Sequence, residues 1–307
     1  MKKLDLANLA EVREFGHIEF LAKQLVEGFI TGLHRSPFHG FSVEFAEHRL
    51  YNTGESTRHI DWKVYAKTDR LYTKRYEEET NLRCQLLLDV SPSMHYPAED
   101  KGKLSFGLLA SAAIAYMLQK QKDAVSLCTF ADEIQLHTPT KSTPSHLNKI
   151  FIALQSLWEN KEKPTAKTTA IAETLHQIAD KIPRRSLVVI FSDMFERVQE
   201  TEQIFAALQH LKHNQHEVLL FHVTDRQTEH DFNFEERPTE FIDLETGEKI
   251  KLQPSQVRQA FVAHQEQFFQ DLKLRCGQYK IDLIETDIKQ GFDEILYAYL
   301  VKRHRMK

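Results

Sequence analysis

The sequence predicts an α/β protein. A mostly parallel central sheet carries helices on both faces, and a small N-terminal α+β segment precedes it. Three observations predict this class. Two fully apolar runs, Leu86-Leu87-Leu88 and Leu187 to Phe191, have the composition of strands buried on both faces, as parallel strands are. Both runs stop abruptly at polar residues, the first at Asp89 and the second at Ser192-Asp193. Around them, strand-length segments alternate with segments whose apolar residues recur every three or four positions, the rhythm of βα units.

Taken in order, residues 1 to 30 read as a helix, with Ile18, Leu21, Leu25 and Phe29 on one face. This arm is expected to pack on the body of the protein, because Glu11, Glu14, Glu19 and Glu27 make its polar side unsuited to a membrane surface. Residues 33 to 83 mix aromatic and charged residues, with a turn at Asn52-Thr53-Gly54 and strand-like alternation from Leu71 to Tyr76. Regular units then begin. Cys84 to Val90 is a strand, followed by a helix marked by Leu104, Leu108, Ala112, Ala115 and Leu118. Val125 to Phe130 is the next strand, and Asp132-Glu133 turns the chain into a short one, Ile134 to His137. Leu147, Ile150, Leu154 and Leu157 mark a helix, and a further helix from Thr169 to Ile182 stops at Pro183. After the strand Leu187 to Phe191 come a helix with Ile204, Leu208 and Leu211 and a strand from Val218 to Val223. Thr246-Gly247 reads as a hairpin turn inside residues 232 to 252. A long amphipathic helix carries Val257, Phe261, His264, Phe268 and Leu272, and a strand at Ile281 to Ile284 and a helix at Phe292 to Val301 close the chain. The expected division is residues 1–82, a helix with a distinctive segment, and 83–307, the α/β domain.

Composition narrows the function. With 307 residues, 41% hydrophobic and 27% charged, the chain can bury a sizeable core. A formal net charge of −4 gives no general attraction for nucleic acid. No run is apolar enough to span a membrane, and the N-terminus MKKLDLANLAEV lacks the apolar core of a signal peptide. Cys84, Cys128 and Cys276 are widely spaced and read as buried, reduced thiols, so the expected compartment is the cytoplasm.

Chemistry concentrates where the buried strands end. Asp89, Ser91 and Ser93 follow the first long strand, and Ser192 and Asp193 follow another. Lys167-Thr168-Thr169 opens a helix between them. In an open α/β sheet, ligands bind outside the carboxyl ends of the strands. Hydroxyls and carboxylates from three loops have the content of a hydrated Mg²⁺ site, or one for Mn²⁺ or Ca²⁺. With few protein charges around it, such an ion would attract a carboxylate from a partner protein.

This pattern resembles the von Willebrand factor A domain and its metal-ion-dependent adhesion site. The resemblance implies Ser91, Ser93 and Thr169 as direct ligands, with Thr168 the alternative to Thr169, and Asp89 and Asp193 acting through water. The preceding residues, His34-Arg35-Ser36, Gly40, Glu44-Phe45, Arg49-Leu50-Tyr51, Gly54, Arg58-His59-Ile60-Asp61-Trp62, Ala66-Lys67 and Leu71, resemble the signature of the bacterial domain-of-unknown-function 58 family. Glu55 stands where that family commonly has Asp, and Lys67 where Arg is common. The resemblance implies a von Willebrand A-like domain after the signature. It also implies a working association with MoxR-type AAA+ ATPases in assembly or activation of other proteins.

The expected function is thus a non-enzymatic adaptor with a metal site of Asp89, Ser91, Ser93, Thr169 and Asp193. Its partner, a MoxR-type ATPase or another protein, would offer an acidic side chain. Arg49, Tyr51, Arg58, Asp61 and Trp62 are expected to contact a partner or to lock the signature segment onto the sheet. Two alternatives stand beside it: a metal-free scaffold that binds through residues 33–83, and a metal-dependent hydrolase or phosphotransferase. The chain has no G-x-S-x-G elbow and no P-loop lysine motif to support an enzyme. His210, His213 and His216 are expected to belong to a solvated helix end and the following strand, with no metal between them.

Overall fold

The computed structural model describes residues 17–35, 48–50, 62–74, 82–97, 102–160, 171–194, 201–244 and 246–306. The chain divides into two compact units, Met1–Phe29 with Leu82–Lys307, and Ile30–Asn81. Helix α1 (Ile18–Arg35) is the first described element. Up to Phe29 it groups with the larger unit, whereas the sequence placed it in the 1–82 segment. Ile18, Leu21, Leu25 and Phe29, the predicted face, are buried, and the Ile18 amide donates to Gln155 Oε1 at 2.8 Å.

In the smaller unit, β1 (His48–Leu50) precedes helix α2 (Trp62–Thr68) and β2 (Tyr72–Lys74). The two strands pair antiparallel, His48 opposite Lys74 and Leu50 opposite Tyr72, with β2 inside the alternating run noted above.

The larger unit continues with β3 (Arg83–Asp89), α3 (Gly102–Lys120), β4 (Ala124–Phe130), β5 (Ile134–His137), α4 (Pro144–Glu159) and α5 (Ile171–Lys181). Then come β6 (Leu187–Ser192), α6 (Thr201–His213), β7 (Glu217–Thr224) and a hairpin of β8 (Thr239–Ile242) and β9 (Lys249–Leu252). Helix α7 (Pro254–Gln278), β10 (Asp282–Asp287) and α8 (Asp293–Arg305) complete it.

Six strands form one sheet in the order β10-β7-β6-β3-β4-β5. All neighbours are parallel except β5, which runs antiparallel to β4 with a register shift between Thr129 and Phe130. From β3 the chain moves outward to β4 and β5, then returns to the other side of β3 to place β6. The topological switch therefore lies between β3 and β6, where an open α/β sheet leaves a crevice.

Side-chain alternation assigns the two faces. Leu87, Val188, Ile190, Val218 and Leu220 pack with α5 residues Leu175 and Ile178, α6 residues Leu208 and Leu211, and α7 residues Leu272 and Cys276. On the opposite face, Leu88 and Phe191 lie beneath Gly107 of α3, so close that a Cβ there would collide with the Leu88 side chain. Phe191 stacks on Phe221 with centroids 4.9 Å apart. Helix α3 is buried all round from Gly102 to Ala115, its apolar residues falling on every side and Lys103, Ser105 and Ser111 buried among them.

Helix α7 departs from expectation. Of its predicted face only Leu272 is fully buried, joined by Pro254 and Cys276. Phe261 packs instead on Phe232, centroids 4.5 Å apart, and Phe232 in turn stacks on Phe241 of the hairpin. The sheet edge at β10 carries Asp282, Glu285 and Asp287. Lys302 of α8 ties it to β7, reaching Asp282 and Glu217 at 2.7 Å each.

Gly102 fixes how α3 begins. Its φ is +39°, a left-handed value, and a Cβ there would run into the backbone of Tyr96 and Pro97. Gly102→Ala is expected to lower stability by about 1–3 kcal/mol. An unchanged urea midpoint for this variant would show that the turn relaxes without cost.

Candidate functional site

The carboxyl ends of β3 and β6 meet at the switch point, and their polar residues form one buried hydrogen-bonded row. Asp89 closes β3 and Ser192 closes β6. The Ser192 hydroxyl donates to Asp89 Oδ2 at 2.6 Å, and the Ser91 amide donates to Asp89 Oδ1 at 2.9 Å. Beyond Ser91 a single 3-10 turn, Pro92–His95, folds Ser93 back toward the sheet. This brings the Ser91 and Ser93 hydroxyls to 3.0 Å from one another. The Ser93 hydroxyl donates to Asp193 Oδ1 at 3.3 Å, and Lys103 Nζ donates to Asp193 Oδ2 at 2.7 Å. Lys103 also bonds Glu229 Oε1, while Glu229 Oε2 accepts from the Asp225 amide at 2.8 Å. Glu229 belongs to a π-type turn, Arg226–His230, that follows β7. His222 Nε2 lies 2.9 Å from the Asp193 carbonyl. A carbonyl only accepts, so this nitrogen carries the proton.

Asp89, Ser91, Lys103 and Ser192 are fully buried, and Ser93, Asp193 and His222 nearly so. Burial, and then the Asp193 carboxylate, push the Asp89 carboxyl up to about 7, against hydrogen bonds from Ser192 and Ser91. Burial opposes the charge on Lys103, yet Asp193 and Glu229 together outweigh it and hold the ammonium above its ordinary range. Burial also raises Glu229 and pulls the His222 imidazole down to about 4.

The structure thus brings together four of the five predicted ligands: Asp89, Ser91, Ser93 and Asp193. Thr169, and its neighbour Thr168, lie outside the described residues. So do Tyr51, Arg58 and Asp61. Arg49 lies in β1 opposite Thr73 and Trp62 opens α2, their side chains also outside what is described. Among the described residues, no group of three or more His, Cys, Asp or Glu is placed to hold a metal. A site rich in hydroxyls would not have that form. The donors here are all hard oxygens, as Mg²⁺ prefers. A cation beside them would offset the burial and the Asp193 repulsion that together raise Asp89, so the donor set fits such an ion. Lys103 is the complication, because it already holds one oxygen of Asp193.

Sequence reasoning missed Lys103, Glu229 and His222. A signal for Lys103 did exist: a lysine in the first turn of a helix apolar on every side must be buried, and a buried lysine needs an acid. His210 and His213 lie in the last turn of α6, and His216 lies between that helix and β7. His210 faces His176, Nδ1 to Nδ1 at 3.0 Å, and the buried His216 precedes β7 and accepts from the Ser186 amide. The three cysteines are buried and free. Among the described residues, no helix is long and apolar enough to cross a membrane.

A family model described as "Protein of unknown function DUF58" matches residues 47–268. The uncharacterized proteins Rv1480 of Mycobacterium tuberculosis and Mb1516 of Mycobacterium bovis are each 23% identical over 208 residues. That match spans 68% of this chain and 63% of each relative's length. Among solved structures, the conserved hypothetical protein BatB from Bacteroides thetaiotaomicron is 14% identical, with a TM-score of 0.42, over 73% of this chain and 98% of that one. The PilB minor pilin from Streptococcus sanguinis is 6% identical, with a TM-score of 0.44, over 77% of this chain and 64% of that one.

Two outcomes test the site's electrostatics. Lys103→Met is expected to cost about 3–5 kcal/mol, because it strands two carboxylates in a buried place; a loss below about 1 kcal/mol in urea unfolding would contradict the ion pairing. For Asp89, a folded value near 7 against an ordinary 3.8 means that the fold holds the proton more tightly. Its contribution is full below the ordinary value and is lost as pH rises through about 7. In chelator-treated buffer, Asp89→Asn should therefore gain stability relative to wild type as pH rises from about 4 to about 7. A constant difference across that range would refute the shift.

Proposed function

This chain belongs to the family described as protein of unknown function DUF58, and from that premise we propose that it is a non-enzymatic protein-interaction adaptor working through the strand-end site. One observation carries the reading: Asp89, Ser91, Ser93 and Asp193 form a continuous polar row at the switch point of the sheet. The Ser91 and Ser93 hydroxyls and the Asp89 and Asp193 carboxylates would hold Mg²⁺, or Mn²⁺ or Ca²⁺ in its place, with Thr169 as the further ligand that the family resemblance implies. Bound there, the ion would offer an open, electrophilic position to a carboxylate of a partner protein.

The residues around the row favour binding over turnover. His222 is held neutral, and its Nε2 proton is committed to the Asp193 carbonyl. The Ser192 hydroxyl is spent on Asp89, and the Ser91 and Ser93 hydroxyls lie within hydrogen-bond distance of one another. A serine nucleophile needs a base within hydrogen-bond reach. Asp89 instead acts as a positioning residue, fixing the Ser91 backbone through one oxygen and β6 through the other. The partner class comes from the family resemblance: a MoxR-type AAA+ ATPase, with the adaptor acting in assembly or activation of further proteins.

Thermal unfolding with excess Mg²⁺ or Mn²⁺ tests this reading. A ligand at a hundred times its dissociation constant stabilises the fold by about 2.7 kcal/mol. The wild-type chain should gain such a rise and Asp89→Ala should not. No rise in wild type, or an equal rise in both, would sink the metal site and leave residues 33–83 as the binding segment.

A further inference from the structure

The strand-end row already contains a cation. Lys103 enters it from the first turn of α3, and its side chain is 1% exposed. Its place is fixed by the same loop that carries the serines. The Lys103 amide donates to the Tyr96 carbonyl at 3.0 Å, and Gly102 adopts the left-handed conformation that permits this approach. The Nζ atom lies 5.9 Å from the centre of the Tyr96 ring, a contact that favours positive charge. A buried ammonium is tolerated only where acids surround it. Asp193 and Glu229 do so here.

The arrangement of Asp193 is what matters. One of its oxygens accepts from the Ser93 hydroxyl and the other from Lys103. The carboxylate assigned to the metal is thus shared with a fixed charge from the chain itself. Glu229 differs in kind. Its side chain is 23% exposed, it stands on a short turn beyond β7, and it holds Lys103 from there. Three carboxylates, Asp89, Asp193 and Glu229, accompany one ammonium.

We propose that the Lys103 ammonium is a built-in cation that competes with the divalent ion for Asp193, so that the site stays assembled without a metal and takes one up only as Lys103 shifts its pairing to Glu229. This rests on the strand-end metal reading and adds its regulation. Residue 103 then sets metal affinity without being a ligand. It keeps the wild-type site weak for divalent ions, and an event that moves the turn carrying Glu229 changes how readily the ion enters.

The test is titration with Mn²⁺, followed by electron paramagnetic resonance, on wild type, Lys103→Gln and Lys103→Arg. Lys103→Gln keeps an N–H donor for Asp193 and deletes the charge; Lys103→Arg keeps the charge. Lys103→Gln should bind Mn²⁺ about tenfold more tightly than wild type, or better, and Lys103→Arg should stay as weak as wild type. Binding to Lys103→Gln no tighter than to wild type overturns the competition and leaves the metal site standing. No uptake by any of the three chains overturns both. A second measurement needs no folded neutral variant: the side-chain nitrogen signal of Lys103 in the ¹⁵N-lysine-labelled wild-type chain, assigned with Lys103→Arg, should move as Mg²⁺ is added. An unmoved signal while Mg²⁺ raises the melting temperature overturns the proposal alone.

Discussion

The contact between the Lys103 ammonium and the Asp193 carboxylate is the interaction on which the strand-end region depends. It joins the first turn of α3 to the end of β6, two elements far apart in sequence. Removing the ammonium strands the buried Asp193 carboxylate, whereas removing the Asp193 charge leaves Lys103 with Glu229 alone. The geometry that makes the pair possible is backbone geometry. Gly102 lets α3 start hard against Tyr96 and Pro97, and the 3-10 turn after Ser91 sets Ser93 within reach of Asp193. The ion pair, the left-handed glycine and the short turn are therefore one device.

Neighbouring groups set opposing demands on this device. Asp89 sits close enough to Asp193 that burial and repulsion favour its protonated form, while His222, on the other side of Asp193, is kept neutral by burial. Stability from His222 is present above its ordinary value of 6.5 and is lost as pH falls toward 4, opposite in direction to Asp89. The two partly cancel in mildly acidic conditions. A site with one ammonium among several carboxylates is poised to accept another positive charge, and the row of serine hydroxyls lies where that charge would be received.

Much of the fold was legible because parallel strands buried on both faces leave unbroken apolar runs. Leu86 to Leu88 and Leu187 to Phe191 could be located, and so could their abrupt ends at Asp89 and Ser192. Asp89, Ser91, Ser93 and Asp193 were legible as strand-end residues, while the 3-10 turn that folds Ser93 back toward Asp193 was not. Lys103 was missed because a lysine at a helix start ordinarily points to water; its signal was indirect, the apolar residues on every side of α3 that bury that first turn. Glu229 was hidden for a different reason. It sits in a π-type turn whose hydrogen bonds close over five residues, a period that neither strand nor helix templates detect. The apolar row on α7 was legible as a row but its packing was not, because Phe232 and Phe241 give Phe261 an aromatic cluster to join while Leu272 joins the sheet core.

The acidic edge strand bears on how copies of this molecule behave in a crowded solution. An outermost strand is a template on which another chain can polymerise, and long neutral edges invite that growth. Here β10 lines its length with Asp282, Glu285 and Asp287, and β5 at the other end is four residues long beside a register shift. Two chains approaching edge to edge at β10 would bring like charges together, and at β5 they would find too short a ladder to zip. The sheet is thereby terminated chemically as well as geometrically.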